Sequence, residues 1–268
     1  MWQPDGWGWK ARIGVLTVKE GVCAESEFAA MAPEGVSIHA ARVPFEGALG
    51  GRMDPTLALQ SVRAFADPPG LDDAAELLAS APLSAIALCF TGSSYVRGAE
   101  DDAALQARLE ARTRGIPVAV ACASAAVALR TLGARRVALI HPPWFSTELN
   151  VLGQQYFEQQ GFEVVYAAPF GAEATVAGGE RQPLHQRVLD PGTLYEWTRA
   201  HVPPTAEAVY IGGNGFRAIG AIKALEDDLG RPVLTANQAA FWHALRLSGT
   251  RAAVTNYGQI FDRDLPAS

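Results

Sequence analysis

The segments GIPVAVACASAAVALRTLGARRVALI (residues 115–140) and GRPVLTANQAAFWHALRLSGTRAAVT (residues 230–255) align with one short gap. Each begins Gly-x-Pro-Val, runs through a short apolar stretch of strand length, and continues into an alanine-rich helix. Each helix stops at a glycine, Gly133 in the first copy and Gly249 in the second, because glycine takes the left-handed conformation that closes a helix at little cost. The likeness extends to further elements. Arg12 to Thr17 (RIGVLT) matches Arg136 to His141 (RVALIH), Val36 to Val43 matches Phe162 to Ala167, and Ser84 to Phe90 matches Glu207 to Gly212. Successive elements recurring in one order point to an internal duplication.

Between the strands lie stretches with helical spacing: Asp72 to Ser80, Asp101 to Arg114, Ser124 to Leu132, Leu194 to His201, Ala218 to Leu229 and Gln238 to Leu247. The acidic residues that open the first of these complement the helix dipole. Strands alternating with helices imply parallel pairing, right-handed crossovers and helices on both sheet faces. The expected fold is therefore α/β, with two Rossmann-like (flavodoxin-like) αβα halves related by a pseudo-twofold. One half spans residues 1–117, completed by 235–268, and the other spans 118–234. Ligands of open α/β sheets bind beyond the carboxyl ends of the strands, so the site is expected in the cleft between the halves. Glu46 to Pro69, rich in Gly and Pro, reads as a long covering loop.

Composition narrows the partners. In 268 residues, 49% are hydrophobic and 19% charged, the balance of a globular protein with a full core. No stretch reaches the roughly 20 apolar residues of a membrane span. The N-terminus, with Trp2, Trp7 and Trp9, lacks the pattern of a signal peptide and reads as an arm packing on a surface or on a subunit neighbour, so a homo-oligomer is a possible assembly. The net charge is −6 and basic residues are scattered, which argues against nucleic acid. Cys23, Cys89 and Cys122 are odd in number and have no CxxC spacing, which argues against a disulfide framework or a zinc site. A reducing cytoplasm is the expected compartment.

Several loops at strand ends carry groups with chemistry. In Phe90-Thr-Gly-Ser-Ser-Tyr95 the hydroxyls of Thr91, Ser93 and Ser94, with the backbone at Gly92, suit a carboxylate; ordinary helix capping is the competing reading. In Gly212-Gly-Asn-Gly-Phe-Arg217, Gly212, Gly213 and Gly215 around Asn214 let backbone approach a ligand closely, or simply make a tight turn. The loop lacks the lysine of a P-loop, so a nucleotide is poorly supported. His141-Pro-Pro-Trp-Phe145 offers the flat wall of Trp144 and a histidine at a strand end, where it either titrates usefully or caps a carbonyl. Glu20, after the first strand, suits acid/base work if partly buried; otherwise it is a solvated loop charge. Cys122 precedes a helix N-terminus, where a thiol pKa can fall, and Cys89 lies inside an apolar strand as a small core residue.

Taken in order, RIGVLT…MAPEGVSIHAARVP, FTGSSYVRG, GARRVALI and GRPVLTANQAAFWHALRLSG resemble the Asp/Glu racemase superfamily, within it the maleate cis-trans isomerase and arylmalonate decarboxylase branch. The likeness covers roughly Arg12 to Phe261. It implies a cofactor-independent isomerase or decarboxylase with a small carboxylate or carbonyl substrate. It also implies a thiol at the end of one or both matched strands, and there this chain departs. Phe90 stands at the first thiol position and Gly213 at the second. Thr91 is retained, Gly21 replaces an asparagine that contacts substrate in maleate isomerases, and the region around Pro143 and Trp144 replaces a tyrosine.

Two functions follow. One is an enzyme of isomerisation, decarboxylation, proton transfer or hydrolysis without a cysteine nucleophile, with Glu20, His141 and Thr91 as its catalytic groups. Its substrate would be bound by Phe90, Gly92, Ser93, Ser94, Tyr95, Trp144, Gly212, Gly213, Asn214 and Gly215. The other is a binding protein that kept the cleft and lost the chemistry. A third route, thiol chemistry through Cys89, requires a side chain that the strand alternation turns away from that of Phe90. Restoring both thiols, Phe90→Cys with Gly213→Cys, is the experiment the resemblance suggests.

Overall fold

A computed structural model describes residues 3, 5–46, 48–49, 52–53, 59–171 and 190–266. The first half runs β1 (Ala11–Val18), α1 (Cys23–Met31), β2 (Val36–Val43), a small ribbon of β3 (Ala48–Leu49) and β4 (Arg52–Met53), α2 (Leu59–Ala64), α3 (Gly70–Leu78), β5 (Ala85–Cys89), α4 (Thr91–Arg97), α5 (Ala99–Arg112), β6 (Val118–Val120) and α6 (Ala121–Thr131). The second runs β7 (Arg136–His141), α7 (Thr147–Gln159), β8 (Glu163–Pro169), α8 (Pro191–His201), β9 (Ala208–Ile211), α9 (Ile222–Leu229), β10 (Val233–Thr235) and α10 (Ala236–Leu247).

Two four-stranded parallel sheets result, β2-β1-β5-β6 and β8-β7-β9-β10. In both, the second strand of the unit lies at one edge, then the first, third and fourth, so the duplication read from the sequence recurs in strand order. β5 and β9 are buried along their whole length, as parallel strands covered on both faces must be. The duplicated helices α6 and α10 pack on each other, and α10 also packs on β5 and β6 of the first sheet.

The strands fall where their apolar runs place them, within a residue or two. The helices differ more. α6 begins at Ala121 rather than Ser124, directly after the strand. The expected helix from Ala218 divides into a 3₁₀ turn (Ile219–Ala221) and α9, and the N–H groups of Ala218 and Ile219 at its start, which no helical ladder would satisfy, donate to the side chain of Glu27. Glu46 to Pro69 is not simply a loop. It contains the β3–β4 ribbon and α2, while residues 47, 50–51 and 54–58 lie outside the described residues. In the N-terminal arm, Trp2 lies outside them too. Trp7 and Trp9 are 64% and 62% exposed under the cations of Arg12 and Lys10, so the arm's surface is held by cation–π contacts. Among the described residues, no helix is long and apolar enough to cross a membrane.

Candidate active site

β5 and β9 end on the two loops that the duplication matches, and these loops are bonded to each other. Thr91, the first residue of α4, donates both its N–H and its hydroxyl to Asn214 Oδ1, each at 2.8 Å. The Gly213 N–H donates back to Thr91 Oγ1 at 3.2 Å. Asn214 Nδ2 donates to Asn237 Oδ1 (2.9 Å) at the start of α10. Asn237 Nδ2 donates to Glu27 Oε2 (2.7 Å) on α1, and Glu27 Oε1 accepts from Ala218 (2.8 Å) and Ile219 (3.1 Å). The four side chains and the backbone groups they bond are all buried. Burial pushes the Glu27 carboxyl above its ordinary pKa, against the N–H groups that lower it. A buried polar chain of this kind fixes geometry; it commits the Thr91 hydroxyl proton to Asn214, which gives Thr91 a positioning role rather than the catalytic one expected from the sequence.

Beside this clasp is a small cavity of about 30 Å³, lined by Thr17, Val18, Gly21, Cys89, Phe90, Thr91, Gly92, Trp144, Phe145, Gly213, Asn214 and Gly215. Its innermost part has room for one or two waters, and it opens toward solvent, with about 430 Å³ of space in all. Seven of the residues singled out from the sequence meet here: Phe90, Thr91, Gly92, Trp144, Gly213, Asn214 and Gly215. Ser93, Ser94, Tyr95, Gly212 and His141 lie behind it in the packed interior. Glu20 lines a different, larger chamber.

His141 is fully buried. Its ring faces Tyr95, with centroids 5.6 Å apart, and Phe145. Neither ring nitrogen has a partner among the described residues, and desolvation pushes its pKa down to about 4. It is a neutral core residue that does not reach the cavity. Tyr95 is equally enclosed, with its hydroxyl 2.9 Å from where a Cβ on Gly212 would sit. Gly212 therefore makes room for a tyrosine rather than for a ligand. Cys122 does not have the lowered pKa expected at a helix N-terminus. Although it is the second residue of α6, it is wholly buried and its S–H donates to the Thr91 carbonyl at 3.7 Å. Burial raises its pKa and outweighs any lowering by the helix dipole.

The two residues at the implied thiol positions have structural tasks. Phe90 packs its ring against Phe45 and Phe65, at centroid distances of 5.0 and 4.5 Å, and so pins the segment before β3 and the end of α2 over the strand ends. Gly213 has φ of +94°, a region side chains rarely enter, and a Cβ there would overlap Pro142 Cγ. Trp144, two residues on, walls the cavity, and its ring meets Phe216 at 5.8 Å. Cys89 lines the cavity, but its side chain belongs to the core cluster on the sheet face opposite to that of Phe90, and burial holds its thiol protonated. Among the described residues no group of His, Cys, Asp or Glu side chains could hold a metal ion.

Sequence reasoning missed Thr17, Glu27 and Asn237. The usable signal was a glutamate one position before the core residue Phe28, and an asparagine in the first turn of a repeated helix. Neither shows its partner locally.

Residues 69–261 match the arylmalonate decarboxylase family. The chain belongs to that family. An arylmalonate decarboxylase from Bordetella bronchiseptica is 28% identical over 193 residues, 71% of this chain and 76% of the relative. Solved structures share the fold. The maleate isomerase from Pseudomonas putida S16 superimposes with a TM-score of 0.79 at 19% identity, covering 94% of this chain and 98% of that one. Unliganded arylmalonate decarboxylase gives 0.71 at 24%, covering 94% and 99%. Within the arylmalonate decarboxylase family, then, this member has a strand-end cavity with Phe90 and Gly213 at its rim, and among the described residues that line it Cys89 is the one titratable residue.

Proposed function

We propose that this protein is a cofactor-independent enzyme that decarboxylates or isomerises a small carboxylate at the cavity beside Thr91 and Gly213, without a cysteine nucleophile. The observation that carries this reading is the Thr91–Asn214 clasp. It ties the two strand-end loops together beside the cavity in a chain of the arylmalonate decarboxylase family.

Loss of CO₂ asks least of the residues present. In an arylmalonate-like substrate the bond from the α-carbon to one carboxylate breaks. The electron pair stays on the α-carbon and delocalises into the remaining carboxylate as an enediolate, and CO₂ leaves. A water in the cavity then gives its proton to the carbon, and the hydroxide left behind takes up the released CO₂ as bicarbonate. A lining in which apolar Val18, Phe90, Trp144 and Phe145 outnumber polar groups exchanges the departing carboxylate's hydration for a fixed environment. The Thr17 hydroxyl and the loop backbone supply polarity toward the charge that develops. Thr91 acts by position, holding Gly213 and Asn214.

One observation favours a second reading. Glu20 and His141 do not enter the cavity, as a binding protein without chemistry would have it. Incubation of the purified protein with phenylmalonate and with maleate, followed by proton NMR, separates the two. Phenylacetate or fumarate formed in proportion to enzyme supports the enzyme reading. Saturable binding of these acids with neither product at any enzyme concentration supports the binding reading.

A further inference from the structure

A second chamber, of about 520 Å³, lies between α1 and the loop after β9. Its volume is that of a ligand site. It touches the strand-end cavity only at Gly215. Asn214 lines the cavity, Glu27 lines the chamber, and the buried Asn237 bonded to both joins them.

The chamber's charges are unequal in their commitments. Glu27 accepts three N–H groups from the fold. Glu20 is held by Lys19 at 3.6 Å through one oxygen, and its other oxygen is buried with no partner among the described residues. Arg217 lines the chamber with an exposed side chain and has neither hydrogen bond nor ion pair with the described residues. The remaining wall is largely apolar, from Val22, Ala30 and Ile219.

We propose that this chamber is a second small-molecule site, for a monocarboxylate with an apolar body. The guanidinium of Arg217 takes the carboxylate as a paired, charge-assisted contact, and Val22, Ala30 and Ile219 take the body. The unpartnered oxygen of Glu20 selects against a second negative charge, so dicarboxylates are discriminated against here. This site does not rest on the reaction proposed above, and turnover is a separate readout.

4-Fluorophenylacetate, observed by fluorine NMR with the full chain, is a direct probe. The expected result is saturable binding that Arg217→Met, a change at an exposed side chain, weakens at least tenfold. Ile219→Trp, which fills the chamber, weakens it as well, and circular dichroism shows both variants folded. Trp144→Ala, at the strand-end cavity only, leaves binding within about twofold. Absence of saturable binding, or binding unchanged in folded Arg217→Met, overturns the proposal. So does loss of binding in Trp144→Ala but not in Arg217→Met, which would place the probe in the cavity instead.

Discussion

Thr91 and Asn214, 123 residues apart in the chain, meet in two hydrogen bonds of 2.8 Å to one oxygen. The first residue of α4 is thus capped by the loop of the other half. Asn214→Ala strands the Thr91 N–H and Asn237 Oδ1 without partners in a buried place, and each such group costs about 1–3 kcal/mol. A loss of about 2–4 kcal/mol in urea unfolding is expected. Thr91→Ala keeps the backbone N–H bonded and stays folded, with a smaller loss, yet abolishes most turnover because Gly213 loses its acceptor. Turnover within twofold of wild type in Thr91→Ala would show that the clasp does not organise the site.

Replacing Gly213 tests why a thiol is absent there. The positive φ and the proximity of Pro142 both oppose a side chain. Gly213→Ala is expected to destabilise by about 2–4 kcal/mol, from left-handed strain plus overpacking. Pro142→Ala in the same chain relieves the overpacking and recovers about half. Gly213→Cys therefore does not by itself restore a relative's thiol, and the double-thiol restoration suggested by the sequence tests stability before chemistry. Equal stability of Gly213→Ala and wild type by calorimetry would contradict this.

Phe90→Cys opens the ring cluster with Phe45 and Phe65. Deleting a half-buried aromatic costs about 2–3 kcal/mol, and the loss falls locally on α2. Faster tryptic cleavage after Arg63, with the rest of the chain resistant, is the expected readout.

Stability should also respond to pH in two opposed ways. Burial pushes Asp102 up to about 6 from 3.8, despite the hydrogen bond from Tyr156 at 2.9 Å. The native state then holds more protons than the unfolded chain between these values, so this group's contribution falls as pH rises through the window. His141 and His243 are pushed down to about 4 by burial. They stay neutral when folded, so their contribution is present above 6.5 and is lost as pH falls toward 4. Glu27 and Glu226, whose carboxyls burial also raises, act in the same direction as Asp102, so the contributions are read one group at a time. Asp102→Asn removes that residue's contribution. It should gain up to about 3 kcal/mol at pH 7 relative to pH 4, read from urea midpoints at both pH values.

Much of the fold was legible because the duplication repeats an apolar strand run and a glycine-stopped helix, both local signals. The strand-end loops were legible from Thr91, Gly213 and Asn214 for the same reason. What could not be read was the direction of side chains. His141 looked useful at a strand end, but its ring turns into Tyr95 and Phe145. Glu20 looked close to Thr91 in topology, but it faces the second chamber. The Glu27–Asn237 link joins residues 210 apart, a relationship that exists only once α1 and α10 pack.

Cysteine independence is the most direct test of the proposed chemistry. The chain with Cys23, Cys89 and Cys122 all replaced by alanine or serine should convert phenylmalonate to phenylacetate at a rate within about tenfold of wild type. Loss of turnover by more than a hundredfold in a folded Cys89→Ala protein would contradict it, and would return the reaction to a thiol at the cavity.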